Sequence, residues 1–189
     1  MGQEMPAEWY DERFPESKSY QGPVQASPFH GVWMATMVEV IRALRAGGVL
    51  IDIGCGPGQL SEYAPPCYDY RGYDFSAVAL EMARRERNPD CTFQLWDANT
   101  DPVPVGDVYV ATEFLEHIEA DLRVLRGIPK DSPVIASLPM RDSKGHVRFF
   151  ETEESIRTRY GKLLRIDRVI SLLPLNSFVL SGVRTGATQ

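Results

Sequence analysis

The sequence predicts an α/β fold: a doubly wound, mainly parallel sheet covered by helices on both faces, with an N-terminal helical arm and a C-terminal antiparallel hairpin. Three observations predict it. From residue 49 onward, short β-rich runs alternate with helical stretches, which is the pattern of βαβ units. The last two β-rich runs arrive together with no helix between them, as the strands of a closing hairpin do. Before residue 30, Pro6, Pro15, Pro23 and Pro28 are interleaved with Trp9, Tyr10, Phe14, Tyr20 and Phe29, too interrupted for a long helix and too aromatic for a free tail. The organisation read from this is an ordered arm over 1–30, serving as a lid or as plain packing, and one domain over 31–189.

The elements follow in order. Trp33, Met37, Val40, Ile41 and Leu44 recur at helical spacing, and Gly47 and Gly48 end the helix predicted over 32–44. A strand is predicted over 49–53, a short helix over 59–63 stopped by Pro65 and Pro66, and a strand over 70–73. Ala, Leu, Met, Glu and Arg make 77–86 a helix, followed by a strand over 92–96. Strand, helix and strand repeat over 108–111, 116–125 and 134–138. A helix over 153–160 precedes the hairpin strands at 163–172 and 177–183.

The chain of 189 residues suits a single domain. Its net charge of -6 disfavours a general nucleic-acid coat. Cys55, Cys67 and Cys91 form neither a disulfide framework nor a zinc ribbon, which predicts a reducing, cytoplasmic setting. The acidic start without an apolar run predicts no signal peptide, and no stretch is apolar and long enough for a membrane span. Residues 141–170 hold eight Lys or Arg against five acids and read as a solvated face rather than a phosphate site.

The most informative segment is Val49-Leu-Ile-Asp52-Ile-Gly54-Cys55-Gly56-Pro-Gly58, an apolar strand running into a glycine turn. Glycines there permit positive φ and let a ligand approach the backbone. Asp52 places a carboxylate beside that loop, which argues against a pyrophosphate and towards a sulfonium or ammonium compound. Asp74, twenty residues after Gly54, stands where a carboxylate accepts ribose hydroxyls. Asp97 ends the third strand, where it either takes an adenine amine or caps a turn.

With these segments the chain resembles the class I S-adenosylmethionine-dependent methyltransferases, whose sheet is Rossmann-like. The resemblance covers about residues 32–184 and rests on IDIGCGPG, YRGYDFS, LWDAN, DVYVATEFLEHI and SLP. It implies cofactor binding by Asp52, Gly54, Cys55, Gly56, Gly58, Asp74 and Asp97, with Phe75 and Ala98 beside the adenine. It further implies that Glu113 faces the cofactor and that Tyr20 belongs to a covering arm.

Glu113, Glu116 and His117 stand at i, i+3 and i+4, one face if the segment is helical. His146, after the fifth strand, joins them as a fourth candidate ligand for a divalent Mg, Mn or Zn ion. This Glu-x-x-Glu-His pattern resembles two metal-dependent branches of the family, the ubiquinone-pathway O-methyltransferases and the small-RNA 3′-terminal 2′-O-methyltransferases. The alternative is a Glu-His pair without metal, in which His117 packs beneath the sheet. The expected activity is O-methylation of a small molecule, with His117 or His146 as base or as metal ligand. The other readings are RNA 3′-terminal 2′-O-methylation and a non-catalytic module that binds S-adenosylmethionine. Nucleic acid is disfavoured as a partner, and the sequence leaves the oligomeric state open.

Overall fold

The computed structural model describes residues 2–186, so Met1 and the last three residues of the predicted 31–189 domain lie outside the described residues. The arm carries helix α1 (Ala7–Arg13) and leads into α2 (His30–Ala43). Then follow β1 (Gly48–Ile53), β2 (Tyr68–Asp74), α3 (Ala77–Glu86), β3 (Thr92–Leu95), β4 (Val108–Ala111), α4 (Asp121–Gly127), β5 (Pro133–Pro139), α5 (Glu153–Tyr160), β6 (Leu164–Leu172) and β7 (Ser177–Arg184). The seven strands form one sheet in the order β3-β2-β1-β4-β5-β7-β6. Strands β1 to β5 pair in parallel, and β7 inserts antiparallel between β5 and β6. The predicted fold class and closing hairpin are what the structure has.

Side-chain alternation distributes the core over both faces. Tyr109 and Ala111 of β4 point to one cluster with Ile51, Leu115, Leu125 and Tyr160, while Val108 and Val110 point to another with Leu50, Trp33, Val40 and Tyr70. A parallel sheet buried on both faces requires such continuous apolar strands. Each fully buried side chain of this kind contributes roughly 1.5 to 3 kcal/mol.

The chain winds one way from β1 to β2 and the other way from β1 to β4, so the carboxyl ends of β1 and β4 flank a crevice. Open α/β sheets bind ligands at such a switch point. The arm packs against α3: Asp11 accepts a hydrogen bond from the Ser76 hydroxyl at that helix's N-cap, and Phe14 packs on Ala79 and Met82.

Two local predictions need correcting. The short helix after the glycine loop is a 3-10 turn, Gln59–Tyr63, entered through Gly58 at φ 73°. The helix predicted over 116–125 starts only at Asp121, and residues 112–120 run as successive turns. Long-range partners take the groups that a helix would use. Arg148 donates to the carbonyls of Leu115 and Ile118, and Glu119 N donates to Glu4. Glu113, at φ 49°, breaks the helix geometry at its start.

Candidate active site

A cleft enclosing about 940 Å³, the open solvent at its mouth included, lies over the carboxyl ends of β1 to β4. Its carboxylates are Glu4, Asp52, Asp74, Asp97 and Glu113, and among the described residues no Lys or Arg lines it. The glycine loop forms its floor, with Gly54 at φ 73° and Gly56 at φ 51°. A side chain at Gly54 would lie 2.1 Å from the Phe114 ring, so this glycine is also required by packing.

Asp74 ties the loop to the end of β2 by accepting from Gly56 N at 2.8 Å and Ser76 N at 2.9 Å. Burial raises its pKa to about 6 against the pull of those hydrogen bonds. Asp52 accepts from the Tyr70 hydroxyl through one oxygen, while its other oxygen is buried without a partner. Burial pushes the Asp52 pKa to about 7, so the anion expected beside the loop is partly protonated near neutrality. The Cys55 thiol, buried in the loop, is pushed up as well and stays protonated. Asp97 accepts from Asn99 N at 2.8 Å, the turn geometry that the sequence left as one option, and it also lines the cavity with Phe75, Ala98 and Asn99. Tyr20 lines the arm side.

Across the cavity, the Glu113 carboxylate accepts from the Ser137 hydroxyl at 2.8 Å. Burial raises its pKa. Glu116, fully buried, carries two oxygens without a hydrogen-bond partner, and burial raises its pKa well above the carboxylate range. Its Oε1 lies 4.0 Å from His117 Nε2. The rings of His117 and His146 sit 4.8 Å apart. His117 Nδ1 meets the Gly145 carbonyl at 3.0 Å, and His146 Nδ1 meets the Arg141 carbonyl at 3.3 Å. A carbonyl only accepts, so both Nδ1 atoms carry the proton and each Nε2 keeps a free lone pair. Burial, then the neighbouring His146, lowers the His117 pKa to about 4, and burial also lowers that of His146. Both imidazoles are therefore neutral at pH 7.

Ligand atoms of Glu116, His117 and His146 lie within 4.8 Å of one another. Glu113 stands outside that group, so the helix-face argument for four ligands fails with the helix itself.

The sequence missed Glu4, whose carboxylate accepts from Asn99 Nδ2 and Glu119 N, both at 2.8 Å, and so fastens the arm across the cavity. It also missed Arg148. That residue was counted in a solvated face but is buried, bonded to the 115–118 turn and 3.5 Å from Asp121. Asp121 is itself buried and holds Arg159 through both oxygens. No local pattern announces contacts that span thirty to a hundred residues.

Residues 50–129, which carry the glycine loop, Asp74, Asp97 and the Glu113–His117 turn, match the protein family described as a methyltransferase domain. The resemblance to the class I S-adenosylmethionine-dependent methyltransferases read from the sequence is thus supported over this segment. No curated protein matches the chain. Among solved structures, the N-methyltransferase NodS from Bradyrhizobium japonicum, in complex with S-adenosyl-l-homocysteine, is 14% identical with a TM-score of 0.72, over 95% of this chain and 99% of that one. Magnesium protoporphyrin IX methyltransferase from Synechocystis, with bound SAM, is 18% identical with a TM-score of 0.68, over 95% and 97%. The (4+2)-cyclase SpnF is 15% identical with a TM-score of 0.73, over 98% and 99%. At these identities the methyltransferase domain shares their fold. Among the described residues no helix is long and apolar enough to cross a membrane.

Proposed function

We propose that the protein transfers the methyl group of S-adenosylmethionine to an oxygen of a small molecule. One observation carries the reading: a cavity at the switch point whose loop and acid side faces, across the opening, the neutral imidazole of His117, with His146 and the buried unpaired carboxylate of Glu116 packed beside it outside the lining. The cofactor supplies an already activated methyl carbon. The Asp74 carboxylate accepts the ribose hydroxyls, Asp97 and Asn99 meet the adenine beside Phe75 and Ala98, and Asp52, Gly54, Cys55 and Gly56 take the amino-acid end, while Gly58, which lies outside the lining, packs against Phe93 and Ala83 and lets the loop turn. Glu113 and Tyr20 border the same space. The arm over 1–30 closes the cavity and excludes water.

His117 lines the cavity and, being neutral, can take the proton from an acceptor hydroxyl. Its neighbours also suit a divalent ion: two free imidazole lone pairs and an orphaned carboxylate form a compact N2O donor set. Glu116, His117 and His146 would hold the ion, which when bound supplies Lewis-acid polarisation of the acceptor oxygen. Glu113, engaged by Ser137, takes no part in that set. Without Lys or Arg on the lining, an acceptor bearing phosphate is disfavoured, which tells against RNA.

The experiment is incubation with methyl-labelled S-adenosylmethionine and separate small-molecule, RNA and protein fractions, with and without chelator. Label in the small-molecule fraction supports the proposal, and its loss in chelator with recovery on adding a divalent ion assigns the metal role. Label confined to RNA refutes it. A second reading, cofactor binding without methyl transfer, draws on the SpnF likeness, since that protein is described as a cyclase. It requires binding with no label in any fraction.

A further inference from the structure

The cavity's two halves meet at one residue of the arm. The Tyr10 ring stands 5.4 Å from Phe75 on the cofactor side and 5.9 Å from His117 on the other, measured between centroids. Tyr10 lines the cavity, and its hydroxyl is buried with no hydrogen-bond partner among the described residues. A buried hydroxyl without a partner costs free energy unless a ligand completes it. The methyl group is what passes from the cofactor half to the acceptor half, so a group at the seam abuts it.

We propose that the Tyr10 hydroxyl contacts the sulfonium methyl and makes the site discriminate the charged cofactor from its demethylated product. This rests on the cofactor reading above. The methyl hydrogens of a sulfonium are polarised and act as weak donors to an oxygen lone pair. The electron-rich ring adds attraction to the positive centre, with no Lys or Arg on the lining to compete. Burial and then Glu116 hold the Tyr10 pKa above its usual value, so the group is a neutral hydroxyl and not a base at working pH. Trp9, 4.8 Å away, and Phe14, 5.9 Å away, fix the ring, so the hydroxyl is positioned before a ligand arrives.

Calorimetric titration of wild type and Tyr10→Phe with S-adenosylmethionine and, separately, S-adenosylhomocysteine tests this without an acceptor. The ratio of the two affinities should fall about threefold to tenfold in the variant, mostly through weaker binding of the sulfonium compound. Ligand-free Tyr10→Phe should melt no lower than wild type, because it removes an unpaired buried hydroxyl. An unchanged ratio, or an equal loss for both ligands, overturns the proposal while leaving the cofactor reading intact. Failure of wild type to bind either compound overturns the cofactor reading itself.

Discussion

On the glycine-loop side of the cavity, most of the groups proposed to bind cofactor come from a run of 25 residues, Asp52 to Ser76, and the backbone holds them. Gly54 N and Cys55 N donate to the Tyr73 carbonyl, while Gly56 N and Ser76 N donate to Asp74. On the opposite side, residues 112–120 have little internal hydrogen bonding and are held by Glu4, Ser137 and Arg148. The first half is a preformed cradle. The second is pinned by distant side chains and leaves Glu116 unsatisfied. A site can thus be rigid where it binds what is constant and assembled from afar where it meets what varies from enzyme to enzyme.

Breaking the pinning should have the largest effect. Asp121→Ala removes the buried carboxylate that lies 3.5 Å from Arg148 and accepts from Arg159 and Tyr160, leaving Arg148 only the exposed Glu119, and such a loss costs about 3 to 5 kcal/mol. For a chain of this length the melting temperature should fall by roughly 10 °C, read by thermal denaturation. At low temperature the folded variant should still bind cofactor, since the cradle does not involve Asp121.

Gly54→Ala attacks the place where the halves touch. The added Cβ would sit 2.1 Å from Phe114, at a φ of 73°, and should cost about 2 to 4 kcal/mol in strain and displaced packing. Unlike Asp121→Ala, it should weaken cofactor binding as well. Unchanged affinity would mean that the halves move independently.

Asp74→Ala sharpens the cradle side alone. It should reduce S-adenosylmethionine affinity by about 1.5 to 3 kcal/mol, roughly tenfold to 150-fold, with a smaller change in melting temperature. Equal affinity in calorimetry would remove Asp74 from the binding site.

Much of the cradle was legible because its signals are local. Ser76 caps α3, and Ala77–Glu86 forms where Ala, Leu and Met favour it. Glycines at 54, 56 and 58 all adopt positive φ. The 112–120 turn was misread because Glu113, Glu116 and His117 have helical spacing, while the competing hydrogen-bond partners lie about 30 residues downstream at Arg148 or over 100 upstream at Glu4. His117 and His146 were picked as a pair from chemistry, and the structure sets their rings side by side. The unpaired state of Glu116 and of Tyr10 has no sequence signature, because it depends on which groups fail to arrive.

A pH-dependent effect concerns Asp52. Its pKa is raised by burial from 3.8 to about 7, so the native state favours the neutral acid. That contribution to stability is full below pH ~4 and is lost as pH rises through about 7. Asp52→Asn keeps an acceptor for Tyr70 and cannot ionise. Its ligand-free melting temperature should therefore pull ahead of wild type between pH 4 and 7 and level off above, a gain on the order of 4 kcal/mol for the full shift. A constant gap across that range would show that Asp52 does not titrate there.

The most direct measurement is parallel calorimetric titration of the wild-type chain with S-adenosylmethionine and with NAD at pH 8, where Asp52 and Asp74 are ionised. One S-adenosylmethionine should bind per chain, with protons released as pH is lowered towards 6 and the two carboxyls must ionise to receive the cation. NAD should not compete, because an acidic cavity without Lys or Arg opposes a pyrophosphate. Tighter binding of NAD, or no binding of S-adenosylmethionine, would contradict the assignment of this cavity.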